Sequence, residues 1–107
     1  METAYLAAWK AAIDSGEPWV IVISEPWCPP CRILKNKLKS LKDTGTKFQY
    51  TVLPSTGEYA QKLAPGLTVI PVWFVYQYDK EAKEFKLLHK QVGIDGYETT
   101  LKKFVEK

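Results

Sequence analysis

At 107 residues the chain has the length of one domain around a single core, and residues 1–107 are expected to form it. Hydrophobic residues make up 46% and charged residues 25%, an ordinary balance for a soluble protein, and no apolar run is long enough to span a bilayer. The formal charge of +3 is too mild to argue for nucleic acid, so neither nucleic acid nor membrane is expected as a partner.

Leu6, Trp9 and Ile13 fall on one helical face among alanines at 4, 7, 8, 11 and 12, which predicts a first helix from Thr3 to Ser15. Gly16 is its expected C-cap and Pro18 blocks continuation. Trp19 to Ser24 is short, rich in β-branched residues and continuously apolar, the pattern of a strand buried on both faces. Ile33, Leu34, Leu38 and Leu41 then recur at helical spacing, with Arg32, Lys35, Lys39 and Lys42 between them, up to Thr44-Gly45. Phe48 to Leu53 reads as a half-exposed strand. Ser55-Thr56-Gly57-Glu58 resembles a capping box opening a short helix through Leu63, stopped by Pro65-Gly66.

Strand, helix and strand at this spacing make a βαβ unit with a right-handed crossover. Pro71 to Tyr78 is the third strand, and the polar stretch from Asp79 to Glu84 closes a hairpin onto Phe85 to Val92. Asp95, helped by Glu98, should cap a last helix. Its buried stripe is Ile94, Tyr97, Leu101 and Phe104, and Lys102, Lys103 and Lys107 suit its negative end. Trp9, Trp19 and Trp73 read as core. The fold class is α/β, a four-stranded mixed sheet flanked by helices.

Cys28 and Cys31 are the only cysteines, so no disulfide framework supports the fold and the pair is assigned to chemistry. They sit where a buried strand turns into an amphipathic helix. A helix N-terminus carries unpaired N–H groups and a positive partial charge, which favour a thiolate; such cysteines have pKa values of roughly 3.5 to 7.5. One helical turn can bring the two sulfurs into bonding distance. Cys28, nearer solvent, is the candidate nucleophile and Cys31 the resolving thiol. A metal site is the competing reading, but zinc needs about four ligands and His89 is the one histidine available. Pro71 lacks the N–H a central strand needs, so it belongs at a strand start. The cations Arg32, Lys35, Lys37, Lys39 and Lys42 are either a solvated helix face or a bias towards acidic partners.

Trp27-Cys28-Pro29-Pro30-Cys31 resembles the Trp-Cys-Gly-Pro-Cys site of the thioredoxin family, at the same strand-to-helix junction. Ile70-Pro71, 43 positions after Cys28, stands where that family carries a cis-proline, and Val92-Gly93 before a last helix matches as well. The resemblance runs from about Trp19 to the end. It implies a thioredoxin-like fold, here without the extra N-terminal strand that many thioredoxins have. It also implies a cis bond at Pro71, with the preceding backbone at Ile70 pairing with an extended substrate. Trp27 would offer a flat contact beside the nucleophile, and Gly93 and Ile94 the opposite lip of the groove.

The implied activity is reduction of protein disulfides, with no cofactor beyond the Cys28–Cys31 disulfide and electrons drawn from a reductase such as thioredoxin reductase. A monomer is expected. The N-terminus lacks the basic segment and apolar core of a signal peptide, so the expected location is cytoplasmic, although a mature exported chain would look the same.

Two positions depart from the family pattern. Val22 stands where thioredoxins place a buried Asp that helps deprotonate the resolving thiol, leaving Glu25 as the nearest carboxylate. Pro29 replaces the glycine and, with Pro30, stiffens the loop and removes an N–H near the Cys28 sulfur. Oxidase or isomerase turnover therefore stays open within the same class. Outside it stand a binding or accessory module with an incidental dithiol, and a glutaredoxin-like, glutathione-using reductase.

Overall fold

The computed structural model describes residues 2–66 and 69–106. Helix α1 (Glu2–Ser15) ends where its sequence requires: Gly16 adopts φ +71° and its N–H donates to the Ala12 carbonyl at 3.0 Å. Its buried face differs from the expected one. Tyr5, Ala8 and Ala12 pack on the sheet, while Leu6 and Trp9 are 51% and 44% exposed. Alanines let the helix approach the sheet closely, and Trp9 instead lines a cleft of about 150 Å³ with Tyr5, Trp19, Leu63, Tyr76 and Phe85.

Strand β1 (Trp19–Ser24) is buried along its whole length, as a central strand must be. Helix α2 (Pro29–Asp43) carries the chain over to β2 (Gln49–Pro54), which runs parallel to β1 from Trp19↔Gln49 to Ser24↔Pro54. On the other side of β1 lies β3 (Val72–Asp79), antiparallel, and β4 (Glu84–Val92) closes the order β2-β1-β3-β4. Four strands in a mixed sheet were expected, and the described residues form them.

Alternation sorts the side chains into two cores. Trp19, Ile21, Ile23, Val72 and Phe74 face α1 and the short helix α3 (Glu58–Leu63). Val20, Val22, Trp73 and Val75 face α2 and the last helix, α4 (Tyr97–Phe104), through Leu34, Leu38, Leu41 and Leu101. Ile33, expected with the apolar stripe of α2, is exposed.

Neither expected side-chain cap forms. Gly57 occupies the N-cap of α3, and Gly96, at φ +70°, that of α4, each without a side-chain hydrogen bond. Ile94, Tyr97 and Phe104 do pack around Leu101 in the second core, and Lys102 and Lys103 lie in the last turn; Lys107 lies outside the described residues.

Candidate active site

The pairings Ile23↔Val72 and Val72↔Val92 bring three segments beyond one end of the sheet. These are the loop after β1 with Cys28, the residues before β3 with Ile70 and Pro71, and the residues after β4 with Gly93 and Ile94. Register alone gathers the residues singled out from the sequence at one end.

Cys28 is the N-cap of α2, in extended conformation, and is disulfide-bonded to Cys31 with their Cα atoms 5.2 Å apart. The Cys31 N–H donates to the Cys28 sulfur at 3.3 Å. Pro29 and Pro30 fill the first two helical positions, where proline's fixed φ suits the helix and its missing N–H would have had no helical partner. Cys31 is therefore the first residue after Cys28 able to offer a backbone donor. Cys28 is 4% exposed and Cys31 0%, so any reagent reaches Cys28 first.

The loop before Cys28 is held at three points. The Cys28 N–H donates to the Glu25 carbonyl at 3.2 Å, and the Arg32 Nε and Nη2 donate to the Pro26 carbonyl at 3.2 and 3.0 Å. The Glu25 carboxylate accepts from the Ser55 N–H at 2.8 Å and from the Ser55 hydroxyl. The hydroxyl first, then the N–H, holds the Glu25 carboxyl below the usual carboxylate range. Trp27 stands out from this braced loop, 71% exposed.

Across the sheet end, the Ile70–Pro71 peptide bond is cis; Ile70 is half-buried against the first core and Pro71 is buried. The Gly93 N–H donates to the Pro71 carbonyl at 2.8 Å, and the Trp73 indole donates to the Gly93 carbonyl at 2.9 Å. The Gln91 amide adds donors to the Gly93 and Asp95 carbonyls at 3.2 and 2.7 Å. Trp73 and Gln91 thus fix the Gly93–Asp95 turn. Trp73 was legible only as core, and Gln91, one polar residue in an amphipathic strand, carried no sequence signal.

Val22 is fully buried between Val52 and Trp73, packed with Leu34 and Leu38. His89 pairs through Nε2 with the Gln91 amide oxygen at 2.8 Å, its ring against Trp73 and Phe104. Among the described residues no three His, Cys, Asp or Glu side chains converge as metal ligands.

No family model matches the sequence, and no curated protein matches it. Solved structures do. Thioredoxin from Trichomonas vaginalis is 21% identical with a TM-score of 0.68, the match covering 92% of this chain and 89% of that one. Thioredoxin from Plasmodium falciparum is 16% identical, TM-score 0.69, over 92% and 81% of the two chains. Oxidised thioredoxin O1 from Arabidopsis thaliana is 17% identical, TM-score 0.65, over 94% and 89%. At these identities the likeness establishes the architecture: the chain has the thioredoxin fold.

Proposed function

We propose that the chain is a thiol–disulfide oxidoreductase that reduces protein disulfides. The observation that carries the reading is the Cys28–Cys31 disulfide at the N-terminus of α2, with the Cys31 N–H on the Cys28 sulfur. In the reduced chain the Cys28 thiolate attacks one sulfur of a substrate disulfide, and the other sulfur leaves as a thiolate. Cys31 gives up its proton and attacks the Cys28 sulfur. The second substrate thiolate departs, and the Cys28–Cys31 disulfide closes. Two electrons pass to the substrate, and a dithiol reductase of the thioredoxin reductase type returns the chain to its reduced form.

In this reading Cys28 and Cys31 are the catalytic residues. Trp27, Ile70, Pro71, Gly93 and Ile94 line the substrate groove, and Pro29 and Pro30 tune the loop by withholding N–H donors. A monomer acting in a reducing, cytoplasmic setting completes the proposal. One observation favours the alternative of a binding module: Val22 leaves Cys31 without a buried acid to take its proton.

Reduction of insulin disulfides by dithiothreitol separates the two readings. The chain should accelerate it, Cys28→Ser should lower the rate by about a thousandfold or more, and Cys31→Ser should accumulate a mixed disulfide with insulin. Absence of acceleration by the wild type would leave the binding module.

A further inference from the structure

Helix α2 breaks two rules of helix electrostatics. Cations belong in the last turn and acidic residues in the first, yet α2 has no acidic residue in its first turn and places Arg32 there. Exposed helices gain stability by alternating Glu and Lys at i, i+4, yet Lys35 and Lys39 are like charges at that spacing, and Arg32–Lys35 and Lys39–Lys42 repel at i, i+3. The other three helices mix signs: α1 carries Lys10 and Asp14 four residues apart, α3 pairs Glu58 with Lys62, and α4 sets Glu98 against Lys102 and Lys103. Only Asp43, the last residue of α2, is acidic in that helix.

The four cations are also in line. Arg32, Lys35, Lys39 and Lys42 are offset by 0, 3, 7 and 10 residues, which at about 100° per residue places them within about 80° of arc along about 15 Å of helix. Arg32, Lys39 and Lys42 are exposed and Lys35 is half-buried. The Arg32 guanidinium spends two donors on the Pro26 carbonyl, which leaves its charge uncompensated, and the Lys42 ammonium lies over the Phe48 ring at 5.2 Å. Among the described residues the salt bridges are Lys62–Glu58 and Lys86–Asp79, so none of the four cations meets a carboxylate. The row starts at the residue after Cys31.

We infer that this row is a docking stripe for acidic protein segments that flank a substrate's disulfide. The inference rests on the oxidoreductase reading for what is delivered to Cys28, and on charge complementarity for how it is held. A protein fits better than a nucleic acid because the row leads directly to a sulfur that reacts with disulfides. The row is also longer than a single small thiol such as glutathione could cover.

Two synthetic peptides, each closed by one disulfide and carrying either an Asp/Glu-rich or a Lys-rich flank, test it. The acidic peptide should be reduced about tenfold faster at ~20 mM salt, with the difference shrinking to about twofold in ~0.5 M salt. Lys39→Gln/Lys42→Gln, which leaves Arg32 and Lys35, should weaken the preference, and Lys39→Glu/Lys42→Glu, which brings the row to zero net charge, should abolish it. A general effect of the cations on the Cys28 thiolate would change both peptides' rates together and leave their ratio fixed. Equal rates at low salt, or a preference that survives charge reversal, would overturn the inference. So would a duplex DNA competitor that displaces the acidic peptide at far lower concentration than the peptide's own. Anisotropy of the labelled acidic peptide on the oxidised chain needs no turnover. Binding there without reduction of either peptide would sink the oxidoreductase reading and leave the stripe standing.

Discussion

Glu25 stands three residues before Cys28, and its carboxylate is committed to Ser55, which leaves the neighbouring strand β2 just after the Ser24↔Pro54 pair. That makes it a positioning residue rather than a base for the Cys31 proton. Because Ser55 lowers its pKa, the pairing is complete above the ordinary carboxyl value of 4.5 and is lost as pH falls through the lower folded value. The Ser55 amide resonance should therefore titrate with a midpoint below 4.5. At neutral pH, Glu25→Ala should slow insulin reduction severalfold by releasing the loop. Glu25→Gln keeps an oxygen acceptor for Ser55 and should retain most of the rate. Equal losses in the two variants would instead make Glu25 a proton carrier. Glu25 was legible as the nearest carboxylate, but its partner was not. Ser55 carried a local capping signal, and a charged acceptor thirty residues away, which makes the stronger hydrogen bond, claimed it instead.

Between elements, legibility followed how strongly each pattern was constrained. The run from Trp19 to Ser24 admits one reading, and it became the central strand. An alanine-rich helix admits several, because a small side chain suits either face, and α1 turned Tyr5 inward and Leu6 and Trp9 outward. The β3–β4 hairpin holds a feature composition could not reveal: Lys83 lies in the left-handed region at φ +58°. The surrounding turn imposes it. The Lys83 N–H donates to the Asp79 carbonyl at 2.7 Å, and the Asp79 carboxylate accepts from the Glu81 and Ala82 N–H groups while pairing with Lys86 at 2.8 Å. Lys83→Gly should relieve that conformation and stabilise the chain by about 0.5–1 kcal/mol, less what glycine adds to the entropy of the unfolded chain. Lys83→Val should destabilise it by at least as much. Urea midpoints at unchanged m-value provide the measurement, and a glycine variant less stable than wild type would refute the assignment of strain.

Across the whole molecule, one sheet separates two cores, and the Cys28–Cys31 disulfide, Pro71 and Gly93 gather beyond its end. The strand count, the βαβ and hairpin connections and the flanking helices could be read from apolar runs and connection lengths, whereas the strand order and the side-by-side placement of Pro71 and Gly93 required the sheet's pairing register, which no local pattern specifies. Val22 lies at this junction, on β1, facing α2 with Leu34, Leu38 and Trp73. The one hydrogen-bond donor among those side chains, the Trp73 indole N–H, is already committed to the Gly93 carbonyl, so a carboxylate at that position would be buried without a donor of its own. Burial would raise the pKa of Val22→Asp by about 3 units, a penalty of about 4 kcal/mol for keeping it ionised at neutral pH. The sign follows from proton binding. With a raised folded pKa, the native state holds the proton more tightly than the unfolded state. Stability should therefore fall as pH rises from about 4, the unfolded value, and level off above the folded value. A wild-type chain lacks this slope at that position, so the difference between the two unfolding curves isolates the residue. The same substitution bears on turnover. Without a buried acid, loss of the Cys31 proton depends on solvent hydroxide, so resolution of a preformed mixed disulfide should accelerate with rising pH in the wild type and less steeply in Val22→Asp. If the variant matches wild-type stability at every pH and resolves the mixed disulfide with an unchanged pH profile, position 22 is coupled to neither the core nor the cysteines.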